Sequence, residues 1–178
     1  FTSLMVTGIG LLTGVMIMTS HANGRENLLA AGAVWRNAMP YAVLVGILFT
    51  LLTWQSALLF IITGQPAEIT ENAGYLAKIL AIGMPAALIY ITCAFFLEGL
   101  QRPIPGMVLM IGANVINLFL DYGLVYGAFG LPELGAQGAA WTSSVIRWIM
   151  ALSLLGYILL MKNHALYGIR NGFKGWWK

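Results

Sequence analysis

Five long runs of apolar residues, almost free of charge, constrain this chain more than any other feature of its sequence. Each run has about the 20 residues that an α-helix needs to cross a hydrocarbon core of about 30 Å. Only the last two are interrupted, by Asp121 and Arg147, and none alternates as the strands of a membrane barrel do. We therefore predict an all-α, polytopic helical membrane protein with five transmembrane helices, at 1–20, 37–62, 72–97, 104–127 and 137–161.

Composition excludes the main alternatives. Charged residues make up only 8% of the chain, against about 25% in soluble domains, and 60% of it is hydrophobic, which excludes a disordered protein. A single cysteine, Cys93, excludes a disulfide scaffold. The sequence has no nucleotide-binding loop, zinc-protease motif or nucleophile elbow, so we expect no enzymatic activity.

The charges between the runs predict how the helices are oriented. Connections rich in arginine and lysine alternate along the chain with connections that carry Glu68, Glu71 and Glu133. By the positive-inside rule, the basic connections are cytoplasmic, and so is the tail at 162–178. The net charge of +3 is thus explained by topology and indicates no nucleic acid. At one cytoplasmic end, Glu98 and Arg102 are spaced i to i+4, which predicts an interfacial ion pair.

The odd number of spans has a further implication. The first span would enter from outside, so we expect one more helix to precede it, completing a lobe of six helices. On this interpretation, residues 1–161 are a partial N-terminal transmembrane lobe. Residues 162–178 are a cytoplasmic basic linker toward a C-terminal lobe that this sequence does not contain.

Polar residues cluster on one face of the fourth span. Asn114, Asn117 and Asp121 are spaced i, i+3 and i+7, which puts them on one side of a helix. Ionisable groups inside a membrane cost about 2.5–3.5 kcal/mol on insertion scales and by default mark a functional site. Carboxylate and amide oxygens suit a small hard cation, such as sodium at Asp121, or a shared proton.

The following span supplies hydroxyl groups at a similar depth. Counting from the turn at about 1.5 Å per residue, Thr142 lies level with Asp121, so Thr142, Ser143 and Ser144 are candidate oxygen donors. Arg147 is deeper, nearer Asn117. Its role stays open between a structural ion pair with Asp121 and work on substrate or gating, and Asn114, Ser143 and Arg147 are additional candidates for a polar cavity.

Several segments, in order along the chain, resemble one transporter family. They are Gly8–Gly14 with Asn23–Arg25, Tyr75–Leu76 with Ile82–Pro85, and Asn114–Tyr122 with Tyr126–Gly127, Gly130–Gly135 and Gly138–Thr142. The ordered set resembles bacterial multidrug and toxic compound extrusion (MATE) transporters. The resemblance implies that the five spans here are helices two to six of the twelve in that family.

The resemblance also implies a function. MATE proteins are antiporters of the plasma (inner) membrane in bacteria, and they export cationic or amphipathic compounds in exchange for sodium ions or protons, with no other cofactor. Asn117, Asp121 and Thr142 match the family's cation or proton site, whereas its essential first-helix aspartate has no counterpart here. Expected partners are small-molecule substrates, membrane lipid, and the missing first helix and C-terminal lobe. Two alternatives are a flippase for lipids or lipid-linked oligosaccharides, and a non-transporting membrane subunit.

Overall fold

Five helical segments long and apolar enough to cross a membrane occur in the part of the chain that the structure describes, as the sequence predicts. The structure is a computed structural model that describes residues 2–55, 67–130, 132–162 and 164–169. Its α-helices and one 3₁₀ turn are α1 (Thr2–Gly24), α2 (Leu28–Trp54), α3 (Ala67–Ile82), α4 (Met84–Gly99), α5 (Ile104–Tyr126), the turn Ala128–Gly130 and α6 (Ala136–Leu160). Within the described ranges, α3 and α4 together make one span, Asn72–Gly99, and the other four helices are one span each. The all-α membrane fold is therefore confirmed.

The start of α2 differs from the prediction. The helix begins at Leu28, nine residues before the expected boundary, because the side chain of Asn27 accepts a hydrogen bond from the Ala30 amide (3.0 Å) and caps it. Arg36, which marked the boundary in the sequence, lies inside the helix and donates to the carbonyl of Gly168. The expected end of this span, at residue 62, lies outside the described residues.

Helix α4 is the centre of the bundle. It packs against α1, α2 and α6, and it contacts α3 and α5 more slightly. Its side chains Met84, Leu88 and Phe96 are fully buried. Glycines allow the close approaches: a Cβ at Gly99 would lie 2.6 Å from the Cβ of Thr19 on α1. Small residues at such contacts are typical of helix packing in membranes, where apolar side chains gain little by leaving the lipid.

The third span is broken at Gly83. The Gly83 amide bonds to the carbonyl of Leu80 (3.2 Å) rather than four residues back, which leaves the carbonyl of Ile79 without its helical donor. Pro85 has no amide hydrogen, so the carbonyl of Ala81 also loses its donor. Neighbouring helices replace what is lost, because the hydroxyl of Ser144 donates to Ile79 (2.7 Å) and that of Thr50 to Ala81 (2.9 Å).

After α6 the chain turns back under the bundle. Residues 164–169 form turns in which Tyr167 and Ile169 are buried, and the Tyr167 ring meets Phe96 edge-on with the centroids 6.2 Å apart. Gly32 of α2 accommodates this segment, since a Cβ there would lie 1.8 Å from the Tyr167 carbonyl oxygen. The expected linker at 162–178 thus begins against the core, while residues 163 and 170–178 lie outside the described part.

Candidate functional site

Helices α5 and α6 form an antiparallel hairpin whose register is set near its tip. The Leu134 amide donates to the Leu124 carbonyl (2.8 Å), and a Cβ at Gly138 would lie 2.7 Å from that same oxygen. The two backbones therefore touch where Gly138 faces Leu124. Asp121 lies three residues before Leu124 on α5, and Thr142 lies four residues after Gly138 on α6, so both are on the same side of this contact. At about 1.5 Å per residue, the two differ in depth by only about 1.5 Å.

Helical rotation determines which side chains face the hairpin interface. At about 100° per residue, Asn117 points about 20° away from Leu124, and Asp121 about 60° away. Both side chains are half-buried. The Oδ1 atom of Asp121 is fully buried and accepts no hydrogen bond from any residue that the structure describes. Asp121 is thus an acceptor held against the interface without a donor from the described helices.

Thr142 lies on the same face of α6 as Gly138, one turn away, and is 2% exposed. Its hydroxyl donates to the Gly138 carbonyl (3.0 Å) within the helix. Because the proton is committed to that carbonyl, the lone pairs of the hydroxyl oxygen are left to accept a hydrogen bond or to ligate a cation. The fold thus brings Asp121 and Thr142 to one level of the hairpin, while Asn117 lies about 6 Å, roughly one helical turn, deeper on the same side of α5.

The other candidates lie elsewhere. Asn114 is exposed, and Ser143 is half-buried about 100° around α6 from Thr142. The expectation that Ser144 faces Asp121 is wrong, because its hydroxyl is directed at α3, where it bonds Ile79. Arg147 points about 180° from Gly138, and its Cδ lies 3.1 Å from where a Cβ of Gly83 would be. Arg147 therefore packs at the break in the third span, on the side of α6 away from Asp121.

A second polar cluster, around that break, was missed in the sequence. Besides Thr50 and Ser144, the indole of Trp148 donates to the carbonyl of Ile82 (3.1 Å). A proline inside an apolar run, such as Pro85, indicates a kink, but nothing in the sequence indicates which side chains bond the freed carbonyls. Every bond of this cluster is directed at a backbone carbonyl, which is a structural arrangement.

The chemistry of the hairpin site is that of hard oxygen ligands. No group of three or more histidine, cysteine or acidic residues that could hold a metal ion occurs within the described ranges. One carboxylate with a hydroxyl and an amide provides a single negative charge and neutral oxygens. Such a set suits a proton or a monovalent cation better than it suits a transition metal.

Comparison with known proteins agrees with the fold. Residues 1–123 match the family model described as MatE. The chain is 36% identical, over 94% of its length, to the probable multidrug resistance protein NorM of Caulobacter vibrioides. It is 31% identical, over 97% of its length, to the multidrug resistance protein PmpM of Pseudomonas aeruginosa.

A solved structure adds a likeness of fold alone. The inward-facing conformation of a multidrug resistance MATE family transporter of the MOP superfamily superposes with a TM-score of 0.80 at 19% identity, covering 89% of this chain. The chain spans only about a third of the length of its relatives, 36% for NorM and 35% for PmpM. With the family model matched over more than half of the chain, the protein belongs to the MatE family.

Proposed function

We propose that this chain is the cation-coupling part of a secondary-active antiporter that exports cationic or amphipathic compounds. In this proposal, Asp121 binds the coupling ion, a sodium ion or a proton, while Asn117 and Thr142 contribute neutral oxygens. Binding neutralises the carboxylate and changes the packing of α5 on α6, which favours release of the exported compound. The observation that carries the proposal is the buried Asp121 oxygen, which accepts no hydrogen bond from the described residues.

Two further observations support this assignment. Thr142 donates its proton to a carbonyl of its own helix, which leaves the lone pairs of its buried oxygen to accept a hydrogen bond or to ligate a cation. The relatives NorM and PmpM are named multidrug resistance proteins, which agrees with export of small molecules. The hydroxyl of Ser144 and the Cδ of Arg147 lie at the Gly83 break, on the side of α6 that faces the third span.

The test is efflux of a cationic dye from cells that express the intact protein with Asp121→Asn. This substitution keeps the shape of the side chain and removes its charge, so we expect efflux to fall to the level of cells without the protein. Glu133→Gln is the matched control, because Glu133 is an exposed carboxylate near the same end of the hairpin. Wild-type efflux by the Asp121→Asn variant, at equal amounts in the membrane, would contradict the proposal.

The identity of the coupling ion needs a separate measurement. Dye efflux from proteoliposomes at fixed pH, with and without an imposed sodium gradient, distinguishes sodium coupling from proton coupling. Thr142→Val removes one neutral oxygen while preserving the shape of the side chain. Under sodium coupling, we expect it to raise the sodium concentration for half-maximal efflux, whereas a purely proton-coupled protein shows no sodium dependence to shift.

A further inference from the structure

The end of the bundle that carries the basic connections has a cavity between the start of α5 and the end of α6. Its volume is about 540 Å³, within the range of about 300–1,000 Å³ that is usual for small-molecule sites. Two cationic side chains line it: Arg102, two residues before α5, and Lys162, two residues after the end of α6. The other lining residues are Tyr157, Leu160 and Met161. None of the described residues that line it is acidic.

An apolar groove of about 420 Å³ continues from this cavity along the outer side of the hairpin. Tyr157 lines both, so the basic cavity and the groove meet at its ring. The groove runs between α5 and α6 over Leu154, which is 1% exposed and forms its floor. Its lining is Ile104, Pro105, Val108, Leu109, Ser153, Leu154 and Tyr157.

The guanidinium of Arg102 forms no ion pair with any residue in the described ranges. The predicted ion pair with Glu98 does not form, because α4 ends at Gly99 and Gln101 takes a positive φ of 60°, which turns the chain away from the helix. Glu98 instead lines a different groove, between α1, α4 and α5. The first turn of α5 adds positive potential at the cavity, since no side chain caps its N-terminus at Pro103.

We propose that this paired cavity and groove bind a membrane phospholipid with an anionic headgroup. Arg102 and Lys162 contact the phosphate and headgroup, and one acyl chain lies in the groove past Tyr157. Basic pockets between helices at the cytoplasmic side are a recognised mode of anionic lipid binding, and positive-inside topology assigns this end to the cytoplasmic leaflet. A zwitterionic headgroup fits less well, because its ammonium group would lie beside two cations with no acidic partner in the cavity.

The headgroup contribution is tested by native mass spectrometry of the intact protein, which counts retained lipids from an equimolar mixture of phosphatidylglycerol and phosphatidylcholine. For Arg102→Gln and for Lys162→Gln, we expect the preference for phosphatidylglycerol to fall about five-fold each, the worth of one surface cation near lipid phosphate. Arg25→Gln removes an exposed cation from the same end outside the cavity and should leave the preference within about two-fold. An equal fall for all three would overturn the proposal, as would no fall for either cavity variant.

The acyl-chain contribution needs a variant that keeps both charges. Ser153→Phe fills the groove, and we expect it to lower retention of phosphatidylglycerol, whereas Leu152→Phe, at a neighbouring exposed position outside the groove, should not. Added glycerol phosphate, which has the headgroup chemistry without chains, should fail to displace the lipid. Displacement of the lipid by glycerol phosphate would identify a site for soluble phosphate and contradict the proposal of a lipid site. Unchanged retention of phosphatidylglycerol by Ser153→Phe would contradict the proposal that an acyl chain lies in the groove.

Discussion

At the break in the third span, the hydroxyl of Thr50 replaces the amide hydrogen that Pro85 lacks. The contribution of this hydroxyl to the free energy of unfolding can be measured. Pro85 deprives the Ala81 carbonyl of its helical donor, and the hydroxyl of Thr50 shares its one proton between that carbonyl (2.9 Å) and the Gly46 carbonyl of its own helix (2.8 Å). In Thr50→Val the Gly46 carbonyl keeps the amide partner that α2 provides, whereas the Ala81 carbonyl loses its donor. We therefore expect the whole cost of this substitution to come from Ala81.

The magnitude follows from hydrogen bonds between membrane helices, which contribute about 0.6 kcal/mol on average and up to about 1.7 kcal/mol. Because the Ala81 carbonyl is held at a break where no amide can replace the hydroxyl, we expect Thr50→Val to lower the free energy of unfolding by about 1–1.7 kcal/mol. In a Pro85→Ala background residue 85 regains an amide hydrogen that can bond to Ala81, so the same substitution should cost less than half as much.

The assay is a double-mutant cycle on the unfolding free energy of the intact protein, measured by titration with a denaturing detergent in mixed micelles. Thr13→Val is the matched control, because the Thr13 hydroxyl bonds only the Ile9 carbonyl of its own helix (3.0 Å), and its loss should cost nearly nothing. If Thr50→Val lowers the free energy of unfolding equally with proline and with alanine at residue 85, the argument that the hydroxyl replaces the missing amide is refuted.

Two glycine contacts give further predictions. A Cβ at Gly46 would lie 2.5 Å from the Cα of Pro85, so Gly46→Ala should lower the unfolding free energy by about 1–3 kcal/mol in the same titration, whereas Gly112→Ala, with no atom within 4 Å, should not. Gly32→Ala puts a methyl group on the Tyr167 carbonyl and should release residues 164–169 from α2, with faster amide hydrogen exchange there; unchanged exchange would contradict the contact.

Much of the fold could be predicted because charge in a membrane protein is confined to ends and sites. Counting apolar residues between charges is enough for the number of spans. The same count misplaces the start of α2, because it treats the charge of Arg36, just before the predicted span at 37–62, as a helix boundary. An arginine at a helix end can stay in the helix when a carbonyl such as that of Gly168 accepts its hydrogen bond.

The depth of each side chain along the hairpin could be predicted from the sequence, but the rotation of α6 about its own axis relative to α5 could not. A rise of about 1.5 Å per residue brings Asp121 level with Thr142 from sequence alone. Which side of α6 faces α5 depends on the contact of Gly138 with Leu124, a tertiary fact that no local pattern encodes. For that reason Ser144, two residues from Thr142, was expected near Asp121 and instead bonds Ile79 on α3.

Donor and acceptor chemistry separates the structural polar residues of this bundle from the functional candidate. Thr50, Ser144 and Trp148 are donors, and in a membrane the abundant partner for a donor is a backbone carbonyl freed by a break, which each of them has found. An ionised carboxylate only accepts, so the same carbonyls cannot satisfy Asp121. Its buried oxygen can be satisfied only by a proton, a cation or an added donor, and exchange among these is the chemistry that an ion-coupled transporter requires.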